Sequence, residues 1–293
     1  MHAIQITRTG EPDVLQPVDL ELPAPGPDEL RVTHTAIGIN FVDTYHRRGT
    51  YPIPLPAILG VEAAGTTSGR RIAYAGALGA YATERNLPAW RAVDVPAHLT
   101  DHQAAITLAR GITGYMLLRF LVDVKPGMTI LVHAAAGGLG SLLVRWAKQL
   151  GATVIGTVGT REKAAHVIAD QIIVGRDAVL PEGIADVVYD GIGGTTLARS
   201  FVAAKPFGTV VSLGQAGGAI PPIDVRQLSQ RSLSLSRPSV MQFMTDPARY
   251  RAAAREALAF APAAGTIYAL ADVARAHREL EAGLTTGAPL LVP

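Results

Sequence analysis

Apolar residues follow two different patterns along the chain, with a change near residue 129. Before that point, short apolar runs such as residues 3–7 and 29–36 lie between Pro- and Gly-rich breaks, and more short runs fill residues 60–84. This pattern is typical of strands. After that point, continuous apolar runs such as TILVH, ATVIGTV, QIIV, ADVVYD and GTVVSLG alternate with helical stretches, and SLSLS is a sixth candidate strand. The alternation predicts a parallel sheet with helices on both faces.

Helical periodicity marks several other segments. Thr100 and Gln103 have capping-box spacing ahead of a long apolar stretch, which we predict to form one or two buried helices. The other predicted helices cover residues 141–150, ending at Gly151, 161–169, 197–204 and 247–260. After the last helix, the sequence again has the pattern of strands.

Composition narrows the classes of protein. The chain has 293 residues, 48% of them hydrophobic and 17% charged, which is typical of a globular protein of about two domains. Net charge is +2 without a basic stripe, so no nucleic-acid partner is expected. The absence of cysteine excludes disulfides, thiolate nucleophiles and Cys-based zinc sites. With no signal-peptide core and no apolar run near about 20 residues, we expect a cytoplasmic protein without a membrane partner.

The segment HAAAGGLG, from His133, is the strongest chemical motif. Ala134, Gly137 and Gly140 form an A-x-x-G-x-x-G frame that follows a predicted strand, opens a predicted helix and precedes another strand. Such a turn brings backbone N–H groups and a helix N-terminus close to a pyrophosphate. A purely structural glycine turn is the alternative, but the strand–turn–helix context favours a nicotinamide dinucleotide domain.

The following strand bears on which nicotinamide cofactor binds. An NAD site usually carries an acidic residue about 20 residues after the turn, where this chain has Thr157. Thr160, Arg161 and Lys163 come next, and hydroxyl and cationic groups suit a 2′-phosphate, which favours NADP(H). Glu162 keeps NAD open, and an ordinary solvated helix start explains the two cations equally well.

Longer stretches of sequence resemble a known family. They include AIGINFVDTYHRRGTYP, LPAILGVEAAG, ALGAYATE, HAAAGGLG, WAKQLGATVIGTVGT, VVYDGIGG, SRPS and the closing LLVP. Together they resemble the zinc-free quinone oxidoreductases, the zeta-crystallin-like branch of the medium-chain dehydrogenase/reductase superfamily. The resemblance implies an α/β protein with a GroES-like β-rich catalytic domain (residues 1–108 and 262–293) and a Rossmann domain (residues 109–261) with strand order 3-2-1-4-5-6. It also implies a homodimer.

The resemblance further implies that no zinc is bound. Zinc-dependent relatives carry Cys at the position of Asn40 and His at the position of Val61, and Glu62 alone does not make a zinc site. His98 and His102 are four residues apart, but Thr100 between them is a predicted helix cap, so we interpret both as surface histidines.

By the same resemblance, Asn40, Phe41, Asp43 and Tyr45 line the nicotinamide pocket, and Tyr45 and Tyr51 face a quinone. Asn40, Tyr45 and Tyr51 are therefore the candidate catalytic residues, as donors to a developing oxyanion. A loop-stabilising role for Asp43 and a packing role for the tyrosines are the alternatives. The predicted cofactor contacts outside this pocket are Thr113, Gly137, Gly138, Leu139, Gly140, Gly159, Thr160, Lys163, Arg176, Leu213, Gly214 and Pro238.

These features predict hydride transfer from NADPH to a quinone. The alternatives are an enone or 2-alkenal reductase and a non-catalytic, crystallin-like NADPH-binding protein. The chain departs from its relatives at Gly175 and Gly283, where they carry a Tyr and an Arg that contact the 2′-phosphate, and it lacks a loop near residue 68 and a helix after Arg176. Lys163 and Arg176 remain, so we expect a less strict preference for NADPH.

Overall fold

The computed structural model describes residues 1–261, 264–285 and 287–293. Sixteen strands are present in these ranges: β1 His2–Ile6, β2 Gln16–Asp19, β3 Glu29–Gly38, β4 Ala57–Ile58, β5 Glu62–Thr67, β6 Arg70–Ala75, β7 Glu84–Pro88, β8 Val93–Asp94, β9 Thr129–Val132, β10 Thr153–Val158, β11 Gln171–Val174, β12 Ala185–Asp190, β13 Ala204–Ser212, β14 Ser234–Ser236, β15 Ala264–Ala269 and β16 Ala288–Val292. The α-helices are α1 Phe41–Arg48, α2 Asp101–Tyr115, α3 Gly138–Gln149, α4 Arg161–Ala164, α5 Thr196–Ala203, α6 Arg226–Ser229, α7 Val240–Phe243, α8 Pro247–Ala257 and α9 Val273–Glu281.

The chain divides into two compact units. The first contains Met1–Tyr115 and Val240–Pro293, and the second contains Met116–Ser239. These bounds differ from the predicted ones, because α8 belongs to the first unit and not to the Rossmann part. It packs so closely on α2 that a Cβ at Gly111 would lie 2.4 Å from the Cβ of Ala257. The hydroxyl of Tyr250 on α8 also accepts a hydrogen bond from the N–H of Ala75 at 3.0 Å.

The first unit is built on a seven-stranded sheet of mostly antiparallel pairs. Its order is β15-β16-β3-β5-β6-β8, with β7 paired to β3, and a separate three-stranded sheet has the order β2-β1-β4. Apolar side chains of both sheets, among them Ile4, Val32, Ile37 and Ile72, are buried in one core together with Val273 and Leu280 of α9. The predicted β-rich domain is confirmed.

The second unit is a six-stranded parallel sheet with the order β11-β10-β9-β12-β13-β14. Numbered from its first strand, this is 3-2-1-4-5-6, so the predicted Rossmann topology is confirmed. The central strands read as apolar runs because they are covered on both faces: Ile130 and Leu131 of β9 and Val188 of β12 are fully buried. In such a sheet, ligands bind at the carboxyl ends of the strands where the strand order reverses.

Two predicted helices were wrong in extent, and α1, α6, α7 and α9 were not predicted. The helix predicted over 161–169 ends at Ala164, because Asp170 pins the chain to β10 by accepting from the N–H of Val154 at 2.8 Å. The helix predicted over 247–260 ends at Ala257 and continues as tight turns. Helix α9 was missed, although its buried residues Val273, Ala276, His277 and Leu280 have helical spacing.

The long apolar stretch after Thr100 is helical. The N–H and the hydroxyl of Thr100 both donate to the side-chain oxygen of Gln103, and the N–H of Gln103 donates to the Thr100 hydroxyl at 3.2 Å. These hydrogen bonds confirm the capping box. Residues Asp101–Leu121 form 21 helical residues that are long and apolar enough to cross a membrane, contrary to the expectation from sequence. However, 72% of the most apolar 18-residue stretch of this helix is buried inside the protein, as in the core helix of a globular fold.

Candidate functional site

The turn between β9 and α3 has the geometry of a phosphate-binding site. Ala134 has a positive φ of 52°, and the N–H of Gly137 donates to its carbonyl at 2.9 Å. A Cβ at Gly140 would lie 2.2 Å from that same oxygen, so only glycine lets the first turn of α3 come this close. Gly137 caps the helix without a side chain. The N–H groups of Gly138, Leu139 and Gly140 therefore head a helix whose positive end suits a pyrophosphate.

A buried cluster of polar side chains is hydrogen-bonded to the first residue of this turn. His133, the first residue of the motif, bonds the Thr157 hydroxyl through Nδ1 at 2.9 Å and the Ser200 hydroxyl through Nε2 at 3.1 Å. Ser200 in turn donates to the Asp190 carboxylate at 2.9 Å. Since burial lowers the pKa of His133, the imidazole is neutral and ties the ends of β9 and β10 to α5.

The Asp190 carboxylate shapes the next loop. Its Oδ1 accepts from the N–H groups of Ile192 at 2.8 Å and Gly193 at 3.0 Å. His133, Ser200 and Asp190 were not predicted as functional residues from the sequence. The position of Asp190 at the end of a buried strand, directly before a glycine-rich run, is the signal that could have found it.

Four of the predicted cofactor contacts, Gly159, Thr160, Lys163 and Arg176, follow the carboxyl ends of β10 and β11. Thr160 caps α4 by accepting from the N–H of Lys163 at 3.4 Å, and Val158 pairs with Val174 across the two strands. The Arg176 side chain reaches across to Gly159, where a Cβ would lie 3.6 Å from its Cγ and Nε. A cation therefore lies beside the loop in which the cofactor ribose is held in Rossmann folds.

Leu213, Gly214 and Pro238 follow the last two strands at this same sheet edge. The N–H of Leu213 donates to the carbonyl of Asp190 at 2.7 Å. Arg237 donates to the Ser212 hydroxyl at 2.8 Å and to the carbonyl of Gly214 at 3.1 Å, which connects the two loops. Arg237 was not predicted.

In the first unit, helix α1 brings together the residues that we predicted to face the nicotinamide and the quinone. Asn40 is its N-cap, and Phe41, Asp43 and Tyr45 lie on it. The rings of Phe41 and Tyr45 are 6.3 Å apart, and Tyr51 packs edge-on against Tyr45 at 5.2 Å. The N–H of Tyr51 also donates to the carbonyl of Tyr45 at 3.2 Å. Amide, carboxyl and phenol groups are thus concentrated around one short helix.

A buried ion pair fixes the side chain of Asn40. Its Nδ2 donates to Glu62 at 2.8 Å, and Glu62 also accepts from Arg110 and from the N–H of Ala109, both at 2.8 Å. Burial raises the pKa of the fully enclosed Glu62 carboxyl, and the Arg110 charge opposes this. The Glu62 charge is therefore met by a guanidinium, and the Asn40 amide is held in one orientation.

Asp43 is fully buried. Its Oδ2 accepts from the N–H of Asn40 at 2.8 Å and from the hydroxyl of Tyr81 at 3.0 Å. Burial raises the pKa of Asp43 to about 7, against the lowering effect of these two hydrogen bonds. The Asp43 carboxyl group thus accepts a hydrogen bond at the N-terminus of α1, and its pKa lies near neutral pH.

Thr113 lies on α2, one turn beyond Ala109, and its hydroxyl donates to the Ala109 carbonyl at 2.7 Å. His98 precedes α2 and is exposed, whereas His102 is on it. In the described parts of the chain, no three His, Cys, Asp or Glu residues group together as a metal site would require.

Comparison with known proteins adds to this geometry. A family model described as "Zinc-binding dehydrogenase" matches residues 138–260. Quinone oxidoreductase 1 of Escherichia coli is 39% identical over 324 aligned positions that cover 99% of each chain. The chain belongs to the quinone oxidoreductase family of the medium-chain dehydrogenase/reductase superfamily.

Other relatives and solved structures are similar to the chain over almost its whole length. The crystal structure of the E. coli quinone oxidoreductase complexed with NADPH superposes with a TM-score of 0.94 at 37% identity, over 100% of both chains. A mycobacterial relative, also solved with NADPH, gives the same TM-score, identity and coverage. A 2-haloacrylate reductase of Burkholderia sp is 36% identical over 99% of this chain and 98% of its own.

Proposed function

We propose that this protein is an NADPH-dependent quinone reductase. The observation that carries the proposal is the side-chain-free cap of α3 at the Gly137–Gly140 turn, in a chain that matches quinone oxidoreductases over its whole length. The test is a panel of acceptors with NADPH: 1,4-benzoquinone and 9,10-phenanthrenequinone against 2-alkenals. We expect higher kcat/KM for the quinones.

The second unit fits NADPH. The N–H groups of Gly138, Leu139 and Gly140 hold the pyrophosphate, and the edge residues Gly159, Thr160, Lys163 and Arg176 hold the adenosine end. Leu213, Gly214 and Pro238 contact the nicotinamide end, and the His133 cluster keeps the turn in shape. Thr113 stays a predicted cofactor contact. When bound, NADPH supplies the hydride and its two electrons.

The substrate side is formed by α1 and Tyr51. Asn40, Tyr45 and Tyr51 carry the donors that stabilise the negative charge arising on the acceptor oxygen, while Phe41 and Asp43 shape the nicotinamide pocket. The Glu62 contact keeps the Asn40 amide oriented before the acceptor binds. The edge-on Tyr45–Tyr51 pair offers an aromatic wall suited to a flat quinone. Solvent protonates the reduced quinone.

The 2′-phosphate of NADPH has fewer contacts here than in the relatives, because Gly175 and Gly283 carry no side chain. The remaining cations are Lys163 and Arg176. We expect comparable kcat/KM for NADPH and NADH. A preference for NADPH of about a thousandfold, or about 4 kcal/mol, would contradict this.

A second candidate is reduction of an activated C=C bond in an enone or 2-alkenal. The similarity to a 2-haloacrylate reductase favours it, and such an acceptor also forms an oxyanion as hydride arrives. Higher kcat/KM for 2-alkenals than for quinones in the panel would select it. Binding of NADPH without turnover of any acceptor would select a crystallin-like binding protein.

We further propose that the protein is a cytoplasmic homodimer. Strand β14 ends the parallel sheet and leaves an edge at which two sheets can join. Sedimentation at the mass of a monomer would contradict the dimer, and cell fractionation tests the location.

A further inference from the structure

A continuous line of buried polar side chains leads from α9 to α1 in the first unit. Arg47 Nη1 lies 3.1 Å from His277 Nδ1, and His277 Nε2 lies 2.9 Å from the Tyr81 hydroxyl. That hydroxyl lies 3.0 Å from the Asp43 carboxylate. At the outer end, Glu281 accepts two hydrogen bonds from Arg47 at 2.8 and 3.0 Å. Arg47, Tyr81, His277 and Asp43 are all fully buried.

Elementary chemistry gives this line a direction. A guanidinium only donates, so Nδ1 of His277 must accept, and the ring proton is on Nε2. Burial and the Arg47 charge lower the pKa of His277 to about 3, which keeps the ring neutral. Nε2–H therefore donates to the Tyr81 oxygen. Burial also keeps the pKa of Tyr81 well above its ordinary value, so its O–H donates to Asp43. Between Arg47 and Asp43, each donor of the line therefore points toward the Asp43 carboxylate.

The Asp43 carboxylate at the end of this line is hydrogen-bonded to the N-terminus of α1. Asp43 accepts from the N–H of Asn40, the cap of α1, at 2.8 Å. Two turns of that helix carry Phe41 and Tyr45 as well. Within the described residues, the second carboxyl oxygen of Asp43 is buried without a hydrogen-bond partner. The Tyr81 hydroxyl is thus the only side-chain donor that the structure gives to this carboxyl group.

We propose that Tyr81, His277 and Arg47 are positioning residues for the reaction, forming a directed hydrogen-bond line that holds Asp43 ionised and thereby fixes Asn40 and Tyr45. The role rests on the proposed function. None of the three residues was predicted from the sequence. A purely structural line would preserve folding without making turnover depend on the charge of Asp43.

The charges around Asp43 set the expected pH dependence. Burial and the neighbouring Glu62 carboxylate raise its pKa, whereas Arg110, Tyr81 and the N–H of Asn40 lower it, to a value of about 7. His277 stays neutral throughout this range, so Asp43 is the member of the line that titrates. Protonation weakens the acceptor for the Asn40 N–H, so turnover should fall below an apparent pKa near neutral pH.

The decisive variant is Tyr81→Phe, which removes one hydroxyl. Loss of a donor to the charged form raises the pKa of Asp43. We expect kcat for 1,4-benzoquinone to fall about tenfold at neutral pH, and the acid limb of the pH profile to move up by about one unit. Affinity for 2′,5′-ADP, which has no nicotinamide end, should not change, since the Gly137–Gly140 turn belongs to the other unit.

The matched control is Tyr74→Phe. Tyr74 is equally buried, lies in the same unit and also bonds a buried histidine, with its hydroxyl 2.9 Å from His34 Nε2. Its hydroxyl does not hydrogen-bond Asp43, so the pH profile of this variant should be that of the wild type. Equal profiles for Tyr81→Phe and wild type would overturn the proposal, as would the same shift in both variants.

A second readout does not depend on turnover. Carboxyl-carbon NMR of labelled aspartate gives the pKa of Asp43 directly, and we expect it to be higher in Tyr81→Phe than in the wild type. If Tyr81→Phe does not fold, His277→Gln serves instead, because an amide can replace the donor and so should retain more turnover than His277→Leu. Absence of quinone turnover by the wild-type protein would reject the proposed function, whereas an unchanged pKa of Asp43 would reject the directed line.

Discussion

Replacing Arg110 by Met removes the cation that faces the buried Glu62 carboxylate. Arg110 donates to Glu62 at 2.8 Å, to the carbonyl of Ile106 at 2.9 Å and to that of Ile39 at 2.6 Å. Its side chain is 8% exposed and that of Glu62 is 0% exposed, so water cannot take its place. Glu62 would keep its hydrogen bonds from Asn40 and Ala109 alone.

The expected cost follows from this burial. Removing one partner of a buried ion pair costs about 3–5 kcal/mol, and the two remaining donors place this case near about 3 kcal/mol. The matched control is Arg71→Met, which breaks the Arg71–Asp101 pair, whose side chains are 39% and 22% exposed. That partly solvated pair should cost about 1 kcal/mol or less.

The cost should also depend on pH. Burial raises the native pKa of Glu62 above its ordinary value, so on raising the pH the unfolded chain loses this proton first, and stability falls as pH rises toward the native pKa. Arg110→Met removes an influence that lowers this pKa. Its stability deficit should therefore be larger at about pH 8 than at about pH 5. In the double variant with Glu62→Gln, most of the deficit should disappear.

Urea unfolding followed by tryptophan fluorescence measures this. The chain has two tryptophans, and in a Trp146→Phe background only Trp90, which lies in the first unit, reports. Arg110→Met should also lower quinone turnover, since Asn40 shares the Glu62 carboxylate. A deficit no larger than that of Arg71→Met, and equal at both pH values, would refute the assignment of a buried charged pair.

Three further predictions concern the dinucleotide and substrate sites. Gly140→Ala should abolish NADPH binding because its Cβ would lie 2.2 Å from the Ala134 oxygen, whereas Gly191→Ala, with nothing within 4 Å of the new Cβ, should leave the thermal stability unchanged. Arg176→Ala should weaken binding of 2′,5′-ADP about tenfold in calorimetry but leave 5′-AMP unaffected, and equal losses for both ligands would contradict a 2′-phosphate contact. Tyr51→Phe should lower quinone kcat/KM about tenfold while NADPH binding is retained, and unchanged turnover would remove Tyr51 from the catalytic set.

The sequence predicts the Rossmann part of the fold well, because each of its strands is a continuous apolar run, and the family resemblance implied the order of those strands. The Gly137–Gly140 turn was equally accessible, since a close approach to the Ala134 carbonyl leaves a glycine at a fixed spacing. Helix α9 was overlooked because its stripe, including Val273 and Leu280, is interrupted by charged residues that face solvent.

The polar clusters could not be predicted in the same way. Tyr81 and His277 are 196 positions apart in the chain and come together only through folding. Arg110 is part of an apolar helical run, and only the buried Glu62 carboxylate explains why a cation is placed there. Sequence spacing carries no record of such long-range pairs, which depend on how sheets and helices pack.

The most direct measurement is a single turnover. The protein is loaded with one equivalent of NADPH and mixed with excess 1,4-benzoquinone, and NADPH loss and hydroquinone formation are followed together. We predict one hydroquinone for each NADPH consumed, at a rate at least equal to steady-state kcat. Persistence of bound NADPH in the presence of quinones would contradict a quinone reductase.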